Sequence, residues 1–126
     1  MDGSGRECKH ITREDAFWLI EESCRWAGVR EATLNMKGTS REALAYYYAP
    51  KSITICGEVN LTAEIVLHEV AHHIDFCRLA QTTDPLDLWR THNRRKHHCK
   101  RFRNICRDLL SYFSESYGLD YNAGAC

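Results

Sequence analysis

Residues 60–76 read NLTAEIVLHEVAHHIDF. Asn60 or Thr62 can cap a helix here, because a short polar side chain accepts from a first-turn N–H that has no carbonyl of its own to meet. Ile65, Val66, Val70, Ile74 and Phe76 follow at close to helical spacing, which predicts an apolar, buried helix. On that helix His68 and His72 stand one turn apart on one face, with Glu69 beside them. Two imidazoles so placed reach one tetrahedral zinc ion, and the glutamate lies within reach of a water on that ion. Zinc lowers the pKa of such a water from about 15.7 to ~7, and a neighbouring carboxylate can take its proton and pass it to a leaving group. With 7 His and 10 Glu in 126 residues, about 0.03 matches to H-E-x-x-H are expected by chance. The match therefore carries weight, and its apolar surroundings add to it.

A length of 126 residues with 44% hydrophobic and 27% charged residues fits one globular domain and excludes a disordered or fibrous chain. No apolar run approaches the ~18–20 residues of a membrane span, and MDGSGRECKH carries no apolar export segment, so a cytoplasmic monomer is expected. The seven cysteines are odd in number and contain no C-x-x-C pair, which argues against a zinc ribbon or a redox pair. Cys24, Cys77 and Cys106 fall beside apolar helical positions, as buried free thiols would.

Around the motif helix the pattern is α+β. Thr12 and Asp15 form a capping box, and Ala16, Phe17, Ile20, Cys24 and Ala27 recur at helical spacing up to Gly28. Residues 32–37 (ATLNMK), 43–49 (ALAYYYA) and 52–56 (SITIC) predict three strands in meander order, with a turn at 37–40. Tyr46 and Tyr48 share one face of the second strand and Tyr47 takes the other. Residues 79–95 are expected to be a long loop with a short helical turn near 86–89. Phe102, Ile105, Cys106, Leu109, Leu110 and Phe113 then give the stripe of a last amphipathic helix. The expected architecture is a single domain over 1–126 with about three main helices on a three-stranded sheet, flexible at 1–11 and 119–126.

A catalytic zinc needs a third protein ligand. His73 points about 100° away from His72 around the helix. His98 extends the buried stripe of the last helix, whereas His97 extends the face carrying Arg101, Asn104 and Asp108. His98 is therefore favoured over His97, with His92 behind both. Asp75 returns to the ligand face and can orient a ligating histidine, or can be a solvated carboxylate at a helix end. Gly at 75 and His at 78, required by the extended H-E-x-x-H-x-x-G-x-x-H pattern, are Asp75 and Arg78.

The sequence VLHEVAHHID followed by His98-Cys99-Lys100-Arg101-Phe102 resembles the SprT-like metallopeptidases and related small zincin-like proteins of bacteria and phages, over roughly residues 43 to 113. The resemblance implies a zincin-like fold with H-E-x-x-H on its central helix. It implies one catalytic zinc held by His68, His72 and His98, with Glu69 as general base in peptide-bond hydrolysis. It also suggests association with DNA. Cys99 stands where the family usually has Gly after the third histidine, which keeps His97 as an alternative, and the C-terminal zinc ribbon of longer members is missing.

The zero net charge is a cancellation. Residues 1–87 carry 9 basic against 14 acidic side chains, residues 88–107 carry 8 against none, and residues 108–126 carry none against 3. Arg90, Arg94, Arg95, Lys96, Lys100, Arg101, Arg103 and Arg107 form a basic segment able to contact phosphates, or a solvated helix face. Its candidate nucleic-acid contacts are Arg94, Arg95, Lys96, Lys100, Arg101 and Arg103. The competing expectation is a small nucleic-acid-binding or regulatory zinc protein without general proteolytic activity, whose zinc would be closed by a fourth ligand such as Cys99 or His97.

Overall fold

The structure, a computed structural model, describes residues 9–88 and 100–121. Helix α1 (Arg13–Ala27) begins at the expected capping box, in which the Asp15 N–H donates to Thr12 Oγ at 3.1 Å and Asp15 accepts in return from the Thr12 N–H. It ends at Gly28, whose φ of 72° is the left-handed conformation that glycine adopts without a Cβ penalty. Strands β1 (Thr33–Lys37), β2 (Ala45–Tyr48) and β3 (Ser52–Cys56) follow, then helices α2 (Ala63–Thr82) and α3 (Lys100–Tyr117). The α+β class and the three-stranded sheet match the sequence-based expectation.

The strand order does not. The sheet runs β1-β3-β2, with β3 parallel to β1 in the register Leu34↔Ile53 and antiparallel to β2 in the register Tyr47↔Ile53. A meander would have placed β2 in the middle. SITIC takes that position because Ile53, Thr54, Ile55 and Cys56 are all buried, whereas β1 and β2 alternate between exposed and half-buried residues, as edges do. The connection 38–44 can span roughly 20 Å when extended, enough to step across the ~10 Å that separates the two edge strands.

Helix α2 is the centre of the domain, packed against α1, α3 and the sheet. Thr62 caps it through Oγ, which accepts from the Ile65 N–H at 3.2 Å. Its apolar face (Val66, Leu67, Val70, Ile74) meets Leu19, Ile20 and Cys24 of α1 and Phe102, Ile105, Leu109 and Phe113 of α3 in one buried cluster. The helix outruns expectation, continuing through Leu79 to Thr82, because Leu79, Ala80 and Gln81 are good helix formers and no breaker precedes Pro85. A further turn of helix spans 85–88. Its Leu86 N–H donates to Asp84 Oδ1 at 2.9 Å, and Pro85 occupies the first helical position. Of the ends expected to be flexible, 9–11 is tied to the start of α2 by Ala63 N–H to Lys9 carbonyl and Lys9 N–H to Glu64 Oε1, both 2.8 Å. At the other end, Leu119 and Tyr121 pack against the core. Cys24, Cys56 and Cys77 are free thiols, but Cys106 is disulfide-bonded. Periodicity puts its sulfur on the buried stripe without saying what the sulfur faces.

A polar latch joins α1 to α3. Glu22, buried on α1, accepts hydrogen bonds from the Tyr112 hydroxyl and from the Tyr117 hydroxyl at 2.7 Å, and pairs with Arg25. The tyrosine hydroxyls, Tyr112 foremost, hold its carboxyl below the ordinary 4.5. An acid whose pKa is lowered by folding stabilises the fold above its unfolded pKa, and that contribution disappears as pH falls through the folded value. Wild-type denaturation midpoints should therefore drop as the pH is lowered below about 4.5, and Glu22→Gln should flatten that fall while lowering stability at neutral pH. Parallel pH profiles for the two proteins would exclude the latch as an acid-sensitive element.

Candidate metal centre

Helix α2 carries five buried polar side chains, Glu64, Glu69, His72, His73 and Asp75. So many in a central helix require specific partners, since an unpaired buried polar group is costly. His73 is the simplest case. It is fully buried, its Nε2–H donates to the Arg30 carbonyl at 2.7 Å, and its Nδ1 meets the Tyr47 hydroxyl at 2.8 Å. Burial, first among its causes, lowers its pKa. His73 thus ties α2 to β2 and to the segment after α1.

His68 and His72 face the other way, toward α3. Their ring centroids are 5.1 Å apart and their planes 78° from parallel. Two imidazoles sharing a tetrahedral zinc at a Zn–N distance of about 2.0–2.1 Å have centroids roughly 5 Å apart. The spacing therefore fits a shared ion, and the donor set fits zinc. Phe102 backs both rings: it stacks on His72 with centroids 4.2 Å apart at 22°, and meets His68 edge-on at 5.1 Å. His68 is partly open to solvent, whereas His72 is 8% exposed and Phe102 fully buried. Sequence periodicity marks Phe102 only as core; its position over the imidazoles appears when α3 is docked on α2.

Glu69 is 7% exposed, and burial pushes its carboxyl up to about 7. A carboxyl poised near neutrality can both take and return a proton, and a cation beside it would favour its charged form. Asp75 is 4% exposed, which rules out the solvated helix-end alternative. Its carboxylate pairs with Arg101 of α3, Nε to Oδ1 and Nη2 to Oδ2, the latter at 3.1 Å. Arg101, with its side chain 38% exposed, is thereby engaged by Asp75, while Lys100, Arg103 and Arg107 are exposed.

Among the described residues no group of three His, Cys, Asp or Glu side chains is placed to hold a metal ion. The third-ligand candidates His98, His97 and His92 lie outside the described residues, as do Cys99, Arg90, Arg94, Arg95 and Lys96. The tyrosines considered as oxyanion donors divide by position. Tyr112 and Tyr117 serve Glu22, Tyr47 serves His73, and Tyr46 and Tyr48 are on the exposed face of the edge strand β2. No helix among the described residues is long and apolar enough to cross a membrane. No protein-family model, curated protein or solved structure matches this chain.

Proposed function

We propose that this domain is a zinc-dependent metallopeptidase of SprT-like, zincin-like type, with His68 and His72 as two ligands, His98 as the third and Glu69 as general base. The observation that supports it most is the burial of Glu69 on the same helix as two histidines whose ring separation suits a shared ion. A closed structural zinc site has no use for a buried, proton-accepting carboxylate next to its ligands, so this arrangement favours catalysis over a structural ion. Bound zinc would supply Lewis acidity, stabilising negative charge that develops on a substrate carbonyl. Glu69 takes the proton of the attacking water and delivers it to the departing amine. Phe102 holds the imidazoles in place and shields their inner side from water.

The substrate class is protein or peptide. The exposed Lys100, Arg103 and Arg107, continuing a basic run that begins at Arg90, support DNA association as a second property. The test is hydrolysis of an unfolded protein by the zinc-loaded chain, with and without single-stranded DNA. Zinc-dependent product peptides are expected, and their formation should stop on addition of a chelator. Zinc binding without hydrolysis of any protein substrate would favour the regulatory or nucleic-acid-binding alternative.

The third-ligand assignment has its own test. His98→Ala is expected to lose bound zinc and His97→Ala to keep it, measured as metal per chain after gel filtration. The reverse pattern would move the ligand to His97.

A further inference from the structure

Asp75 lies nearly one turn beyond His72 on α2 and is almost wholly buried. Burying a carboxylate there is costly without a close partner, which Arg101 provides from the first turn of α3. Because two guanidinium nitrogens meet two carboxylate oxygens, the contact fixes orientation as well as distance. The next residue along α3 is Phe102, the ring stacked on His72 and set edge-on against His68. Consecutive residues of α3 thus grip α2 at two adjoining points, one holding the carboxylate three positions after His72 and the other covering the His72 imidazole.

Granting the zinc reading above, we propose that Asp75 and Arg101 are a positioning pair for the metal centre. They anchor the first turn of α3 so that Phe102 fixes the ring plane of His72. Neither residue touches the ion; both act through Phe102 and the backbone between them. A ligand whose orientation is preset gives up less freedom when it binds metal, and outer partners of ligating histidines commonly contribute about 10–100-fold in metal affinity. The bidentate pair adds a directional contact at the His72 end of α3 to the non-directional apolar packing of Phe102, Ile105, Leu109 and Phe113.

The test compares wild type with Arg101→Lys, which keeps a cation beside Asp75 but loses the fork, and with the double variant Asp75→Asn/Arg101→Gln, which keeps a hydrogen bond without charge. Zinc affinity is read by chelator competition, ligand geometry by the visible spectrum of the cobalt-loaded protein, and ring order by the His72 imidazole resonances of the metal-free protein. Both variants are expected to bind zinc about tenfold more weakly or worse. They should show an altered cobalt spectrum and shifted His72 resonances, with those of exposed His10 unchanged. A purely structural pair would lower the melting temperature and leave the spectrum and the resonances as they are, which would overturn the proposal. If the wild type takes up neither zinc nor cobalt, the zinc reading fails and the positioning role falls with it. If the wild type binds and both variants match it, only the positioning role fails.

Discussion

Replacing Glu69 with glutamine is expected to reduce peptidase turnover by about 10²–10⁴-fold while zinc content is unchanged. Glutamine has the shape of glutamate but cannot accept the proton of the attacking water, and Glu69 is not itself among the proposed ligands. The loss should fall on kcat rather than on KM, because the carboxylate acts in the transition state rather than in ground-state binding. Burial already holds Glu69 near neutrality in the absence of metal, so the amide should sit in the same site without a desolvation penalty larger than that of the acid. Steady-state kinetics with metal analysis on the same preparations would check this. A variant that retains more than about a tenth of wild-type turnover would remove Glu69 from the base role, given the usual size of that contribution.

The second large effect is expected at Phe102. The ring is fully buried in the cluster formed by α1, α2 and α3, and truncating a buried Phe to Ala typically costs about 3–5 kcal/mol. Phe102→Ala should therefore lose a large part of the stability of a domain this small, read as a lowered denaturant midpoint. Phe102→Leu separates the two duties of the ring. Leucine fills most of the volume but cannot stack on His72, so the fold should largely survive while zinc affinity falls. Wild-type zinc affinity in Phe102→Leu would show that the ring only fills space.

The parts legible from the sequence are those that local chemistry fixes. The capping box at Thr12 and Asp15, the stop at Gly28 and the stripe from Phe102 to Phe113 each depend on residues within a turn or two, and each appears where expected. The pairing of His68 with His72 is of the same kind, since helical spacing alone puts them on one face. Strand order was not legible, because pairing joins residues distant in sequence and the alternation within β2 suits an edge as well as a centre. The end of α2 is not legible because the turn residues at Thr82 to Pro85 follow directly on the helix formers Leu79, Ala80 and Gln81, which carry the helix on to Thr82. In the candidate site, Asp75 could be assigned to the ligand face, but its partner could not. Arg101 lies 26 positions away, and only the docking of α3 on α2 brings the two together. The same docking makes Phe102 a neighbour of the imidazoles. Glu22 with Tyr112 and Tyr117 is a further pairing of this sort, spanning 90 and 95 positions.

Metal stoichiometry decides whether His68 and His72 hold the proposed ion between them. Zinc per chain should be measured on the purified, folded protein after dialysis against trace zinc, for the wild type and for His68→Ala/His72→Ala. One equivalent is expected in the wild type and close to none in the double variant, with both chains folded by circular dichroism. A wild type without zinc, or a double variant that keeps it, would show that these two histidines do not hold a metal ion.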